Sequence, residues 1–350
     1  MRDLDELPKA HLHLHFTGSM SVSTLTELAS RAGVDLPERL TDAIALDVPS
    51  DKRGWFRFQR LYNVARSVVR SEHAMRRIVA QAARDEAAEG SRRLELQVDP
   101  TSYAPFVGGL QPALEIVLDE ALRATRETGV QVAVIVAASR MKHPLDARTL
   151  ARLAAKHAGD GPGTVVGFGL SNDEREGTTS EWSPAFEIAR RAGLAGVPHG
   201  GELLGPDHLA AIVHHLRPAR IGHGVRVAED PDLLGSLVDA GVAFEVCPTS
   251  NVHMGIYHSA ADVPLRTLVD AGATVALGAD DPLLFLSRLT DQYRVAREVL
   301  GFSDAELAAL ATSSIRASLA SEVDKATWTS EVDAWLAAPV GDEPPGRPRH

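Results

Sequence analysis

Eight short apolar runs recur along the chain, and helically patterned stretches separate them. The runs are Ala10–Leu14, Leu94–Val98, Val130–Ala138, Thr164–Leu170, Leu194–Pro198, Ala219–Gly222, Val242–Val246 and Ala273–Leu277. Each is nearly continuous in hydrophobicity, as parallel strands buried on both faces should be. The intervening segments carry helix signals. Ser71–Glu89 ends at Gly90, Pro231–Ala240 at Gly241 and Pro264–Ala271 at Gly272, all glycines suited to a left-handed cap. Ser183 is expected to cap Pro184–Arg191, and Ser303-Asp-Ala-Glu306 has the form of a capping box before Leu307–Leu319. Eight strand–helix alternations fit one (β/α)8 TIM barrel. An open doubly wound sheet competes, but no GxGxxG follows any run.

Residues 1–340 are therefore read as one catalytic barrel domain. The first connection is long, and a helical insertion is expected within residues 19–92. Its later part, Trp55–Arg70, sets Phe58, Leu61, Ala65, Val68 and Val69 on one helical face, which fits either an active-site lid or a helix packed on the barrel wall. The segment 341–350 is rich in Pro and Gly and reads as disordered.

Composition excludes several classes. The lone Cys247 rules out an intrachain disulfide and a thiolate zinc cluster. A net charge of −11 without a long basic run argues against nucleic acid and anionic membranes as partners. No secretory signal is evident at the start, and no apolar run approaches the ~18 residues of a membrane span. The expectation is a cytoplasmic protein acting on a small molecule.

Barrel enzymes place their chemistry at the C-terminal strand ends. His13 and His15 end the first strand, His199 and Glu202 follow the fifth, His223 the sixth, and Asp280 and Asp281 the eighth. Closure would bring all of them to one mouth. The alternation His11-Leu-His-Leu-His15 by itself also fits a solvated strand face. Together with the other strand-end groups, His13, His15, His199 and Asp280 form an imidazole-plus-carboxylate set suited to zinc. A divalent cation there would make water a nucleophile at neutral pH. The fourth strand ends Gly167-Phe-Gly-Leu170, with no carboxylate to bridge a second ion, so one Zn2+ per chain is expected. His223 remains as a base, or to orient the water, and Glu202 as a proton donor.

Five stretches resemble the adenosine deaminase family: Leu7-Pro-Lys-Ala-His-Leu-His-Leu-His-Phe-Thr-Gly-Ser19, Val197-Pro-His-Gly-Gly-Glu202, Arg220-Ile-Gly-His-Gly224, Phe244-Glu-Val-Cys-Pro-Thr-Ser-Asn251 and Leu277-Gly-Ala-Asp-Asp-Pro282. The resemblance runs from about Leu7 to about Ser321. It implies a zinc barrel that hydrolyses the 6-amino group of adenine-type compounds, with a purine nucleoside and water as its small-molecule partners. It implies zinc ligands His13, His15, His199 and Asp280, protonation of purine N1 by Glu202, and deprotonation of the attacking water by His223. Asp281 would hold that water and purine N7. Gly201 would let the purine approach the backbone or would simply turn the chain. Glu245 would orient His223 or serve as a structural acid.

The sequence departs from the family pattern at Thr17, where an acidic residue usually anchors the nucleoside 5′-hydroxyl. A hydroxyl is a weaker anchor and tolerates an anionic or bulky 5′ group. Asn172 replaces a glycine near purine N3, and Gln97 replaces a strand-end arginine. Ser139, Arg140 and Lys142 could meet a substrate carboxylate, or Arg140 could pair with acids of the rim. The leading expectation is conversion of adenosine to inosine and ammonia. One branch of the family acts on 6-aminodeoxyfutalosine, a 5′-extended adenosine, and this is the alternative. Adenine alone, or a non-catalytic binding barrel, is less favoured.

Overall fold

The computed structural model describes residues 1–42 and 44–339, so the expected tail at 341–350 lies outside the described residues. Eight parallel strands pair in chain order: β1 (Lys9–His15), β2 (Ser91–Val98), β3 (Gln131–Ser139), β4 (Val165–Ser171), β5 (Ala195–Gly200), β6 (Arg220–His223), β7 (Ala243–Val246) and β8 (Val275–Leu277). Each falls on one of the apolar runs. β3 shows why: Val132, Val134, Ile135 and Val136 are all wholly buried, so both faces of the strand are dry. The sheet closes just beyond β8, where the His15 N–H donates to the Asp280 carbonyl and the Asp280 N–H to the His13 carbonyl, both at 3.0 Å. The fold is a (β/α)8 barrel, and its closing bonds join three of the expected metal ligands, His13, His15 and Asp280.

The connecting helices begin and end largely where their caps predict. Ser71 accepts from the Ala74 N–H at 3.2 Å at the start of Glu72–Ala88, and Ser303 and Glu306 form the reciprocal box before Asp304–Ala317. The expected Ser183 cap does not form. Its hydroxyl donates to the His215 carbonyl at 2.9 Å, and the chain enters helix Ser183–Arg191 from a short 3-10 turn, Thr179–Trp182, capped by Thr178 and Glu181.

The first connection contains α1 (Val22–Ala32), α2 (Lys52–Ser67) and α3 (Glu72–Ala88). α2 is held over the mouth by packing. Phe58 stacks on Phe285 with ring centroids 6.0 Å apart, and Tyr62 and Ala65 are buried beside it. The segment before α2 is tied to the loops after β8 and β7, through Leu46 N–H to the Leu284 carbonyl and Val48 N–H to the His253 carbonyl, both at 2.9 Å. Among the described residues, no helix is long and apolar enough to cross a membrane.

Candidate active site

The four expected ligands converge at the barrel mouth. His15 Nε2 lies 3.1 Å from both His199 Nε2 and Asp280 Oδ1, and His13 Nε2 lies 3.4 Å from the same Asp280 oxygen. The His13 and His199 rings are 4.6 Å apart, and His223 stands 4.8 Å from His13. His13, His199, His223 and Asp280 form one group of potential ligand atoms, and His15, Asp280 and Asp281 form a second that shares Asp280.

The cluster fits a cation on its own chemistry. His13 Nε2 is buried without a hydrogen-bond partner. Its other nitrogen, Nδ1, donates to Glu245 Oε2 at 2.8 Å, which fixes the tautomer and aims the Nε2 lone pair into the cluster. Burial disfavours charge on His13, yet Asp280 and Glu245 outweigh it and raise the imidazole to about 10. The carboxylates thus demand a positive charge at this spot. His199 is pushed well below the usual histidine range by burial and by the neighbouring imidazoles, so it offers a free lone pair. Three imidazoles and a carboxylate suit zinc.

The remaining groups ring this cluster. Glu202 Oε2 lies 3.7 Å from His223 Nε2. Burial, and then the charges of Asp280 and Glu174, push Glu202 well above the ordinary carboxylate range, which favours its protonated form. Burial pushes His223 down to about 3, against the pull of Asp280, so it is a neutral base. Burial and the adjacent Asp280 push Asp281 up, and a cation on Asp280 would oppose that shift. Asp281 Oδ1 is buried and unpartnered.

Local backbone geometry maintains the arrangement. Asn172, His223 and Asp280 all adopt positive φ, of 81°, 62° and 61°, a strained conformation for non-glycine residues that the closed barrel imposes. Two glycines make room. A Cβ at Gly18 would lie 1.7 Å from Asp281 Oδ1, and one at Gly222 would lie 2.8 Å from His13 Cε1.

The cleft has two joined parts. A catalytic lobe is lined by His15, His199, Glu202, His223, Asp280 and Asp281, with Trp55, Phe58 and Tyr62 of α2 above. It adjoins a second lobe, the two sharing His15, Gln59, Tyr62, Arg66, Ser171 and Asn172. Gln97, Asp99, Tyr103, Ser139 and Lys142 lie deeper in the second lobe.

The expected substrate-binding residues are divided by this geometry. Asn172 lines both lobes, and Ser139 lines the second while accepting from the Met141 N–H at 3.2 Å. Thr17 does not reach the cleft. It is fully buried, and its Oγ1 lies 2.6 Å from the Tyr103 hydroxyl, so Tyr103 takes the wall position instead. Arg140 meets neither a substrate lobe nor a rim acid. It is 3% exposed, and its Nη2 donates to the His199 carbonyl at 3.1 Å. Gly201 turns the chain at φ 68° against Leu209, away from the cleft. Lys142 pairs with Asp99 at 2.9 Å.

Several contributors escaped the sequence reading. Glu245 serves His13 rather than His223. His223 Nδ1 faces Asn251 Nδ2 at 3.3 Å, and Ser250 Oγ donates to Asp280 Oδ2 at 2.6 Å. His11 is buried: its Nε2 accepts from the Ala279 N–H at 3.0 Å and its Nδ1 lies 2.7 Å from Glu86, which anchors the segment carrying Asp280. On α2, Trp55, Gln59, Tyr62 and Arg66 line the cleft. Their spacing of four, three and four residues marks a helical face and was the available signal.

Known proteins resemble this chain over most of its length. The sequence model of the family described as adenosine deaminase matches residues 8–335. A Streptomyces coelicolor protein described as a candidate adenosine/adenine deaminase is 57% identical over 97% of this chain and 99% of its own. An adenine deaminase of Rhizobium leguminosarum bv. trifolii is 33% identical over 90% of this chain and 96% of its own. The crystal structure of an adenine deaminase from Arthrobacter aurescens superimposes with a TM-score of 0.86 at 29% identity, covering 95% of this chain and all of the other. An Arabidopsis N6-mAMP deaminase structure gives 0.82 at 26% identity, covering 95% and 99%. With the match spanning nearly every described strand and helix, the chain belongs to the adenosine deaminase family and is a hydrolytic deaminase.

Proposed function

We propose that the protein removes the 6-amino group of an adenosine-type purine nucleoside, with the purine in the catalytic lobe and its N9 substituent in the second. The observation that supports this most is the continuity of the two lobes, which leaves space beyond a purine ring. His13, His15, His199 and Asp280 would hold one zinc ion, which when bound makes water available as a nucleophile near neutral pH. Glu202, kept protonated by burial, donates to purine N1 and so makes C6 electron-poor. His223, neutral and steered by Asn251, accepts the proton of the attacking water. Asp281, with its free Oδ1, accepts a hydrogen bond from that water and faces N7. Water oxygen adds at C6 and ammonia departs with a proton delivered by these side chains, leaving the 6-oxo purine.

A second reading is that the free base adenine is the substrate. The printed names of relatives favour it, since both the Rhizobium protein and the Arthrobacter structure are called adenine deaminase. Ammonia release from adenine, adenosine and 5′-extended adenosines, each with the zinc-loaded protein, tests the choice. A higher kcat/KM for adenosine or a 5′-extended nucleoside is expected. A clear preference for adenine overturns the nucleoside reading, and no conversion of any 6-aminopurine overturns both.

A further inference from the structure

Glu202 stands on an irregular segment. Strand β5 ends at Gly200, Gly201 turns with φ 68°, and no helix begins until Pro206. Neither a strand nor a helix therefore fixes the proton donor. Its surroundings nevertheless leave little of this backbone unpaired. The His199 carbonyl accepts from Arg140 Nη2 at 3.1 Å, the Gly201 carbonyl from the Arg226 N–H at 3.0 Å, and the Leu203 carbonyl from Arg226 Nη1 at 2.8 Å. Three successive N–H groups point at a single carboxylate. Glu174 Oε1 accepts from Glu202 N–H at 3.0 Å, and Oε2 accepts from Leu203 and Leu204 N–H at 3.1 and 2.9 Å. Glu174 is 1% exposed and comes from the turn after β4, just past Asn172.

Consecutive N–H groups arranged in this way form a concave anion site, and here the Glu174 carboxyl fills it. Burial pushes that carboxyl up, while the three N–H groups and Arg140 pull it down. We infer that Glu174 is a positioning residue for the deamination: by gathering these three N–H groups it sets where the Glu202 carboxyl stands over the purine. The inference rests on reading Glu202 as the proton donor. The competing possibility is that Glu174 merely braces a loop. The two differ in what they do to turnover. A brace affects stability, whereas a positioning residue affects the chemical step carried out by Glu202, because a small misplacement of a reacting group costs about 10²-fold.

Glu174→Gln keeps the size but turns an –NH2 donor toward part of the N–H cluster. With adenine and adenosine as substrates, kcat is expected to fall on the order of 10²-fold, with KM and bound metal nearly unchanged. In a Glu202→Gln background the same change should cost little more, because its effect runs through Glu202. A kcat near that of the unaltered enzyme, or losses that simply multiply in the double variant, overturns the inference. Amide exchange on the unaltered protein supplies a test that does not depend on the variant folding. The Glu202, Leu203 and Leu204 amides should exchange slowly despite lying outside helix and strand, and rapid exchange overturns the inference. If the unaltered enzyme converts no 6-aminopurine, it is the functional reading that fails.

Discussion

Inside the barrel, below the mouth, charged side chains form an unbroken series. Arg93 Nε meets Glu95 at 3.1 Å, Glu95 meets Arg220 Nη2 at 2.6 Å, and Arg220 Nε meets Glu245 at 2.7 Å. The two central members are also tied to backbone: Glu95 accepts from the Leu319 N–H at 2.6 Å, and Arg220 donates to the Ala317 carbonyl at 3.0 Å. One layer higher, at the mouth, the same kinds of residue are left open. His13 Nε2, His199 Nδ1 and Asp281 Oδ1 are buried and have no partner. Leaving a buried polar group unsatisfied costs about 1–3 kcal/mol, so several of them gathered at one mouth mark a place that a bound group would complete. The saturated layer is architecture and the unsaturated one is a site. His13 joins them, with Nδ1 committed to Glu245 below and Nε2 open above.

The predictions follow that contrast, from its base upward. Arg220→Met removes the centre of the interior series and leaves the buried Glu95 and Glu245 each short of its shared cationic partner. It should cost about 3–5 kcal/mol of stability in urea titration, and a loss below about 1 kcal/mol would show the series is dispensable. Glu202→Gln, at the mouth, should behave in the opposite way: turnover falls by about 10² or more while metal content and stability hold. A fully active variant would remove Glu202 from the acid role. Glu245→Gln touches the join between the layers. It should weaken zinc binding by roughly 10–100-fold, read by competition with a chromogenic chelator.

The smallest effect lies outside both layers. The Ser303 N–H and hydroxyl, helped by Arg266, hold the exposed Glu306 at about 2, below its usual 4.5. A depressed carboxylate stabilises the native state above the unfolded value. The stabilisation is thus complete above about 4.5 and fades as pH falls toward about 2. Ser303→Ala should cost about 1 kcal/mol near neutral pH, and the gap from the unaltered protein should narrow in that acidic window. A gap that does not vary with pH would contradict the assignment.

Legibility in the sequence tracks the range of the interaction. The strands were legible because β3 or β4 must be apolar on both faces wherever it pairs. The convergence of His13, His15, His199 and Asp280 was legible because strand ends map directly to the mouth. What failed involved a choice of partner. Thr17 lies two residues past a ligand, yet its side chain turns inward to Tyr103 across 86 residues of sequence. Ser183 had a cap pattern but found His215, 32 residues on. Glu245 had two histidines it could serve, and the closure of the barrel decided between them. The α2 face was legible only in part: Phe58, from the apolar stripe of Phe58, Leu61, Ala65, Val68 and Val69, lines the cleft, but the mixed stripe Trp55, Gln59, Tyr62 and Arg66 lines it as well.

The central claim is that His13, His15, His199 and Asp280 at the mouth hold one metal ion. Zinc-edge X-ray absorption on the purified, zinc-loaded protein measures this most directly. It should show one zinc per chain in a shell of nitrogen and oxygen only, with the outer scattering of several imidazoles. A protein that retains no zinc, or a shell containing sulfur or lacking imidazole, would contradict it.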